Sequence, residues 1–140
     1  EKLNINSSLT MIGNDYKYLE RKNYPKNKNI KIISQVSNLK ELIKYYDKCD
    51  IFILPSYVEA YPQVILESLS RLRPIIIFNE IKYLKKTFPF GLFNCDRTSK
   101  NLTDNILNIK KNYNKIQLQI LRNKIFTLEN FHRDMNKIFS

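Results

Sequence analysis

Short aliphatic runs recur along the chain at near-regular spacing, and stretches with helical periodicity separate them. Leu9-Thr10-Met11-Ile12 stops at Gly13, and Ile30 to Ser34 forms a second run. Ile51-Phe52-Ile53-Leu54 stops at Pro55, and Pro74 opens Ile75-Ile76-Ile77-Phe78. Runs this short that are apolar on both faces are the mark of parallel strands covered by helices on both sides. Asp15 to Lys22 is expected to form a short helix. Asn38 with Glu41 has the spacing of a capping box, after which Leu39, Leu42, Ile43 and Tyr46 share one helical face. A third helix follows Pro62, at a position where the first turn tolerates proline, and carries Val64, Ile65, Leu66, Leu69 and Leu72. Gly91-Leu92-Phe93 reads as a weaker last strand. This order predicts an α/β fold: an open parallel sheet in a Rossmann-like, three-layer domain with right-handed crossovers.

The last third has a different rhythm. Leu102, Ile106, Ile109, Tyr113, Ile116 and Ile120 make one apolar stripe, on a single long helix or on two broken near Asn112 to Asn114. Fewer than three heptads argue for packing on the sheet rather than a coiled coil. Residues 98–140 are thus expected to be C-terminal helices of one domain spanning 1–140.

Composition narrows the function classes. With 43% hydrophobic residues the chain can bury a core. Its longest aliphatic runs fall far short of the ~18 residues of a membrane span, and Glu1 to Ser8 do not resemble a signal peptide. Cys49 and Cys95 form no CxxC, and there is a single histidine, His132. A disulfide framework and a structural zinc are therefore not expected, and the cytoplasm is the expected compartment. The net charge of +11 suggests nucleic acid or an anionic surface. However, 18 lysines stand against 6 arginines, beside 17 asparagines and 19 isoleucines, which is the residue bias of AT-rich codons. Scattered lysines usually form a solvated surface.

The segment with chemistry runs from Asp50 to Ser68: strand, proline stop, loop, helix N-terminus. Ligands of open α/β sheets sit beyond the carboxyl ends of strands. A helix starting near Pro62 offers unpaired N–H groups and the positive end of its dipole, a place for a phosphate or pyrophosphate. Glu59 precedes that helix and Glu67 lies within it. The two carboxylates are expected to flank one crevice and accept hydrogen bonds from sugar hydroxyls. Ser56 lacks a G-x-S-x-G elbow or a nearby histidine, so a turn or capping role is expected rather than nucleophilic attack. Asp50 is expected to be structural, at a helix-to-strand join. Arg71 and Arg73 are expected to act as favourable charges at the C-terminus of the motif helix.

Leu54-Pro55-Ser56, Glu59-Ala60-Tyr61-Pro62 and Glu67 together resemble the C-terminal domain of retaining glycosyltransferases of family 4, the group 1 family with the GT-B fold. Their pattern is a strand ending in Pro-Ser, then Glu, two residues, Pro, and a second Glu eight after the first. A weaker likeness extends from Leu9–Gly13 to the C-terminal helices. The resemblance implies a nucleotide-sugar donor, with Glu59 as the catalytic-site carboxylate. Ser56, Glu59 and the amides of Ala60 and Tyr61 would meet the donor, and Glu67 the ribose hydroxyls. It implies a carbohydrate or lipid-linked glycan acceptor, retention by front-face displacement, and no metal or other cofactor. Peripheral contact with the inner membrane face is a further implied option, and nucleic acid is not an expected partner.

The family's first strand, with its Lys/Arg pair for the pyrophosphate, and its N-terminal acceptor domain have no match here. The family's glycine near Ser34-Gln35-Val36 and its glycine pair after Ile77 are also missing, the latter reading Phe78-Asn79-Glu80. The chain by itself is accordingly expected not to transfer sugar. The alternatives are a basic Rossmann-like module for RNA or a membrane surface, and an inactive fragment. Asp50, Glu59, Glu67 and Glu80 outnumber Arg71 and Arg73 across residues 50–80, so a nucleic-acid face is not expected to centre there.

Overall fold

The computed structural model describes residues 7–13 and 27–123. The helix expected over Asp15 to Lys22, and His132, lie outside the described residues. The chain divides into two compact units, Glu1–Tyr45 and Tyr46–Ser140.

In the first unit, β1 (Leu9–Ile12) pairs in parallel with β2 (Ile30–Ile33), from Leu9 opposite Ile30 to Ile12 opposite Ile33. Asn27 starts β2: its side chain accepts the Asn29 N–H at 2.9 Å and its carbonyl the Ile30 N–H at 2.9 Å. These strands are more open than their apolar sequence suggests, with Leu9, Ile12 and Ile30 all exposed. Helix α1 (Leu39–Lys48) begins in this unit. The Asn38 side chain accepts the Glu41 N–H at 3.1 Å, which satisfies one of the helix's unpaired donors as the capping pattern predicts.

The second unit is built on a three-stranded sheet in the order β3 (Phe52–Leu54), β4 (Ile75–Phe78), β5 (Leu92–Cys95). Both pairings are parallel, with Ile53 opposite Ile76 and Ile76 opposite Phe93. The central strand β4 is buried along its whole length, and Ile75, Ile76 and Ile77 have no exposed surface. At ~1.5–3 kcal/mol for each fully buried aliphatic side chain, this strand is the main anchor of the unit. Helix α2 (Gln63–Ser70) adds Ile65 and Leu69 to the core; α3 (Ser99–Lys111) adds Ile109, and α4 (Tyr113–Ile120) adds Ile116 and Ile120. The apolar stripe is therefore carried by two helices that break at Asn112, whose amide donates back to the Asn108 carbonyl at 3.0 Å. Thr98 caps α3 by accepting the Asn101 N–H at 3.2 Å. The architecture is open, parallel and Rossmann-like, as expected.

Helix α2 ends in a Schellman turn. The Arg73 N–H reaches the Ser68 carbonyl at 3.0 Å and the Leu72 N–H the Leu69 carbonyl at 2.9 Å. Leu72 takes the left-handed position, φ 57°, where glycine is usual. Its side chain packs against the core, which offsets a backbone cost of ~1–2 kcal/mol. Arg71 and Arg73 stand at the end of α2, and the side chains of both reach the end of α1. Arg73 donates to the carbonyls of Tyr46 (3.1 Å) and Asp47 (2.8 Å) and to the Tyr113 hydroxyl (3.1 Å). Arg71 pairs with the Asp47 carboxylate at 2.6 Å. The last carbonyls of a helix lack intrahelical partners, and a guanidinium fork satisfies two at once.

Candidate functional site

Strand β3 runs into Pro55, which has no N–H to continue a ladder and so releases the chain as a loop. Within that loop the Ser56 hydroxyl donates to Glu59 Oε1 at 2.6 Å. This side-chain bond holds the Glu59 carboxylate at the carboxyl end of the strand. Tyr83 holds the same residue by its backbone: its hydroxyl accepts the Glu59 N–H at 3.1 Å and donates to the Glu59 carbonyl. Tyr83 lies on a pair of 3₁₀ turns, Asn79–Lys86, kinked at Ile81, that follow β4 directly. Its hydroxyl occupies the Glu59 amide, which leaves the following residues to meet a ligand. Ala60 is exposed, and Tyr61 is exposed with its ring centroid 6.0 Å from that of Phe88.

Helix α2 begins at buried Pro62, held extended at φ −72° and ψ 112°. No side chain caps this N-terminus. Its first N–H groups and dipole end therefore suit an anion. Glu67, a turn further on, is held separately: the Tyr46 hydroxyl donates to its Oε2 at 2.8 Å. Burial, then this hydrogen bond, hold the Tyr46 phenol well above the ordinary tyrosine range, so it stays a proton donor. Glu59 and Glu67 share no hydrogen-bond partner among the described residues. Tyr113 donates to the Asp50 carbonyl at 2.9 Å, which gives Asp50 the expected structural place.

The sequence reading missed Arg97, which leaves β5 at the same end of the sheet. Its Nη2 donates to the carbonyls of Pro55 and Ser56, each at 3.2 Å, and its Nε to Glu80 at 2.8 Å. The guanidinium carbon lies 3.7 Å from the centre of the Tyr57 ring and 4.3 Å from that of Phe78. Its sequence signal was its place directly after a strand of an open α/β sheet. Tyr83 had no such signal beyond following the missing glycine pair.

The hydrogen bond from Arg97 is the chief cause that holds the Glu80 carboxyl below its ordinary range. A depressed carboxylate contributes stability above its unfolded pKa and loses it as pH falls through the folded one. The Arg97–Glu80 tie is therefore expected to persist at neutral pH and to loosen only below about pH 4, the unperturbed glutamate region. NMR titration of the Glu80 carboxyl checks this: its midpoint should rise in Arg97→Gln, with the backbone hydrogen bond still holding it down in part, whereas an unchanged midpoint would contradict the pairing.

Cys49 and Cys95 are free thiols, and burial raises both. Among the described residues no group of three or more His, Cys, Asp or Glu is placed to hold a metal ion. No described helix is long and apolar enough to cross a membrane. Among curated proteins, none matches the chain. The family described as glycosyl transferases group 1, however, matches residues 1–122, which take in both parallel sheets, the Ser56–Glu59 loop, Glu67 and Arg97. With the match covering nearly all of the chain, it belongs to the group 1 glycosyl transferases.

Proposed function

We propose that the chain is the donor-binding part of a retaining, family-4-type glycosyltransferase of GT-B fold, acting on a nucleotide sugar. The observation that carries this reading is the fixed Glu59 carboxylate at the β3 exit, beside the uncapped start of α2, in a group 1 chain. Glu59 accepts hydrogen bonds from hydroxyls of the donor sugar, whose other contacts are the Ala60 and Tyr61 amides. The diphosphate lies at the start of α2, where unpaired N–H groups and the helix dipole stabilise it. Glu67 takes the ribose hydroxyls through the oxygen that Tyr46 leaves open. In the transfer step the bond from the anomeric carbon to the diphosphate oxygen breaks. The acceptor hydroxyl attacks from the same face, and its proton passes to the departing phosphate. No metal is assigned to this chemistry. The acceptor is a carbohydrate or a lipid-linked glycan.

Calorimetric titration with a panel of nucleoside diphosphate sugars tests the reading. One member should bind, and Glu67→Ala should weaken it by ~10- to 100-fold, the worth of about 1.5–3 kcal/mol of hydrogen bonds to a charged group. Glu59→Ala should weaken the nucleotide sugar while leaving the corresponding nucleoside diphosphate unchanged. Equal loss of both ligands in Glu59→Ala would contradict the assignment of Glu59 to the sugar.

A further inference from the structure

The Pro55–Glu59 loop contains no glycine and is largely exposed, with Tyr57 and Val58 at 66% and 83%. Its own internal tie is the single hydrogen bond from Ser56 to Glu59. A loop held by one side-chain contact would sample many conformations, since each unfixed residue recovers ~1–2 kcal/mol of backbone entropy. Its order must therefore come from outside, and Arg97 touches more of it than any other described side chain. One planar group binds two consecutive loop carbonyls, lies against the ring of the third residue, Tyr57, and rests on Phe78 at the end of β4. Glu80 takes the Nε edge and so sets the rotation of the fork.

We propose that Arg97 is a positioning residue of the candidate donor site: it fixes the Pro55–Tyr57 backbone against the ends of β4 and β5, so that Ser56 presents the Glu59 carboxylate to the ligand in one orientation. Glu80 orients Arg97 in turn through its bond to Nε. The part played in ligand binding rests on the donor-site reading above; the ordering of the loop does not. Two features require arginine rather than a simple cation. The two carbonyls bond Nη2 and the carboxylate bonds Nε, a separation of donors that a single ammonium nitrogen does not offer. The contact with Tyr57 and Phe78 needs a flat, weakly hydrated cation. A lysine ammonium has neither property. Arg97 touches no reacting atom in this account; its effect reaches the ligand through the loop.

The test uses the full chain with Arg97→Gln, Arg97→Lys and Glu80→Gln, and two separate readouts. The first is free of ligand: backbone ¹⁵N relaxation of Ser56 to Val58, the part of the loop that Tyr83 does not hold, with Ile75 to Phe78 of β4 as the internal reference. Both Arg97 variants should lower the order parameters of the loop below ~0.6 while β4 stays near 0.85. Glu80→Gln should cause a smaller drop of the same kind. A loop as ordered in Arg97→Gln as in the wild type would overturn the proposal. So would equal loss of order in β4, because the residue would then simply hold the fold. The second readout is calorimetric titration with the nucleoside diphosphate sugar panel. Arg97→Gln and Arg97→Lys should both raise Kd at least tenfold, and wild-type affinity in Arg97→Lys would overturn the claim that the fork is required. If the wild-type chain binds none of the panel while the loop loosens in both variants, the donor reading fails and the ordering of the loop by Arg97 stands.

Discussion

Gly91→Ala is expected to destabilise the β3–β4–β5 unit by ~2–5 kcal/mol. Gly91 lies in the left-handed region at φ 89°, where a side chain costs ~1–2 kcal/mol. Its carbonyl accepts the Ile75 N–H at 2.8 Å, so the backbone cannot turn away without breaking the β4–β5 pairing. An added Cβ would sit 2.6 Å from Ile120 Cγ1 and 2.9 Å from Leu69 Cδ2. Both side chains are about 1% exposed and have no room to swing aside. Overpacking of this kind adds ~1–3 kcal/mol. Urea unfolding of the two proteins checks it. A midpoint shift worth less than ~0.5 kcal/mol, the usual size for a surface substitution, would show that the contact is not as tight as drawn.

The second large effect is expected at Arg73. Replacing it by methionine keeps much of the stem's packing but removes the donors to the Tyr46 and Asp47 carbonyls and to Tyr113. Hydrogen bonds from a charged group are worth ~1.5–3 kcal/mol each in favourable cases, and partial exposure reduces the sum, so a loss of ~2–4 kcal/mol is expected. The consequence extends to the site. The last turn of α1 carries Tyr46, whose hydroxyl holds Glu67, so loosening that turn frees the Glu67 side chain. The measurement pairs a urea unfolding curve with the Tyr46–Glu67 double-mutant cycle in both backgrounds. The coupling energy between Tyr46→Phe and Glu67→Gln should shrink in Arg73→Met. An undiminished coupling would show that Arg73 supports the fold without positioning Tyr46.

Elements whose burial is local were legible from sequence. Ile75-Ile76-Ile77 can only be an interior strand, and the stripe from Leu102 to Ile120 can only be helical, because the period of apolar residues reports directly which face is covered. The Asn38 cap, which was read from the sequence, shows the same locality, its contact spanning three residues. Of the candidate site, the Ser56–Glu59 contact also spans three residues, but it joins two side chains, which the turn chemistry of serine toward the backbone does not announce. The contacts that organise the site are not local. Arg97 meets Pro55 and Ser56 more than forty positions away, and Tyr83 meets Glu59 across 24. Neither residue has a periodic or motif signal, because a surface arginine or tyrosine has the same local neighbours whether it points to solvent or across a loop. The openness of β1 and β2 was hidden for a related reason: an apolar run states what a strand prefers, not what covers it.

On the proposed function, a nucleotide sugar docks at the carboxyl ends of β3 and β4, between the Glu59 loop and the start of α2. The most direct measurement is an amide chemical-shift map of the ¹⁵N-labelled chain titrated with the tightest-binding nucleoside diphosphate sugar. The largest changes are expected on Ser56 to Ile65 and on Asp96 and Arg97, with the interior of β4 little affected. Changes concentrated instead on the basic turn from Lys110 to Lys115, with the Ser56–Ile65 amides unmoved at saturation, would contradict it.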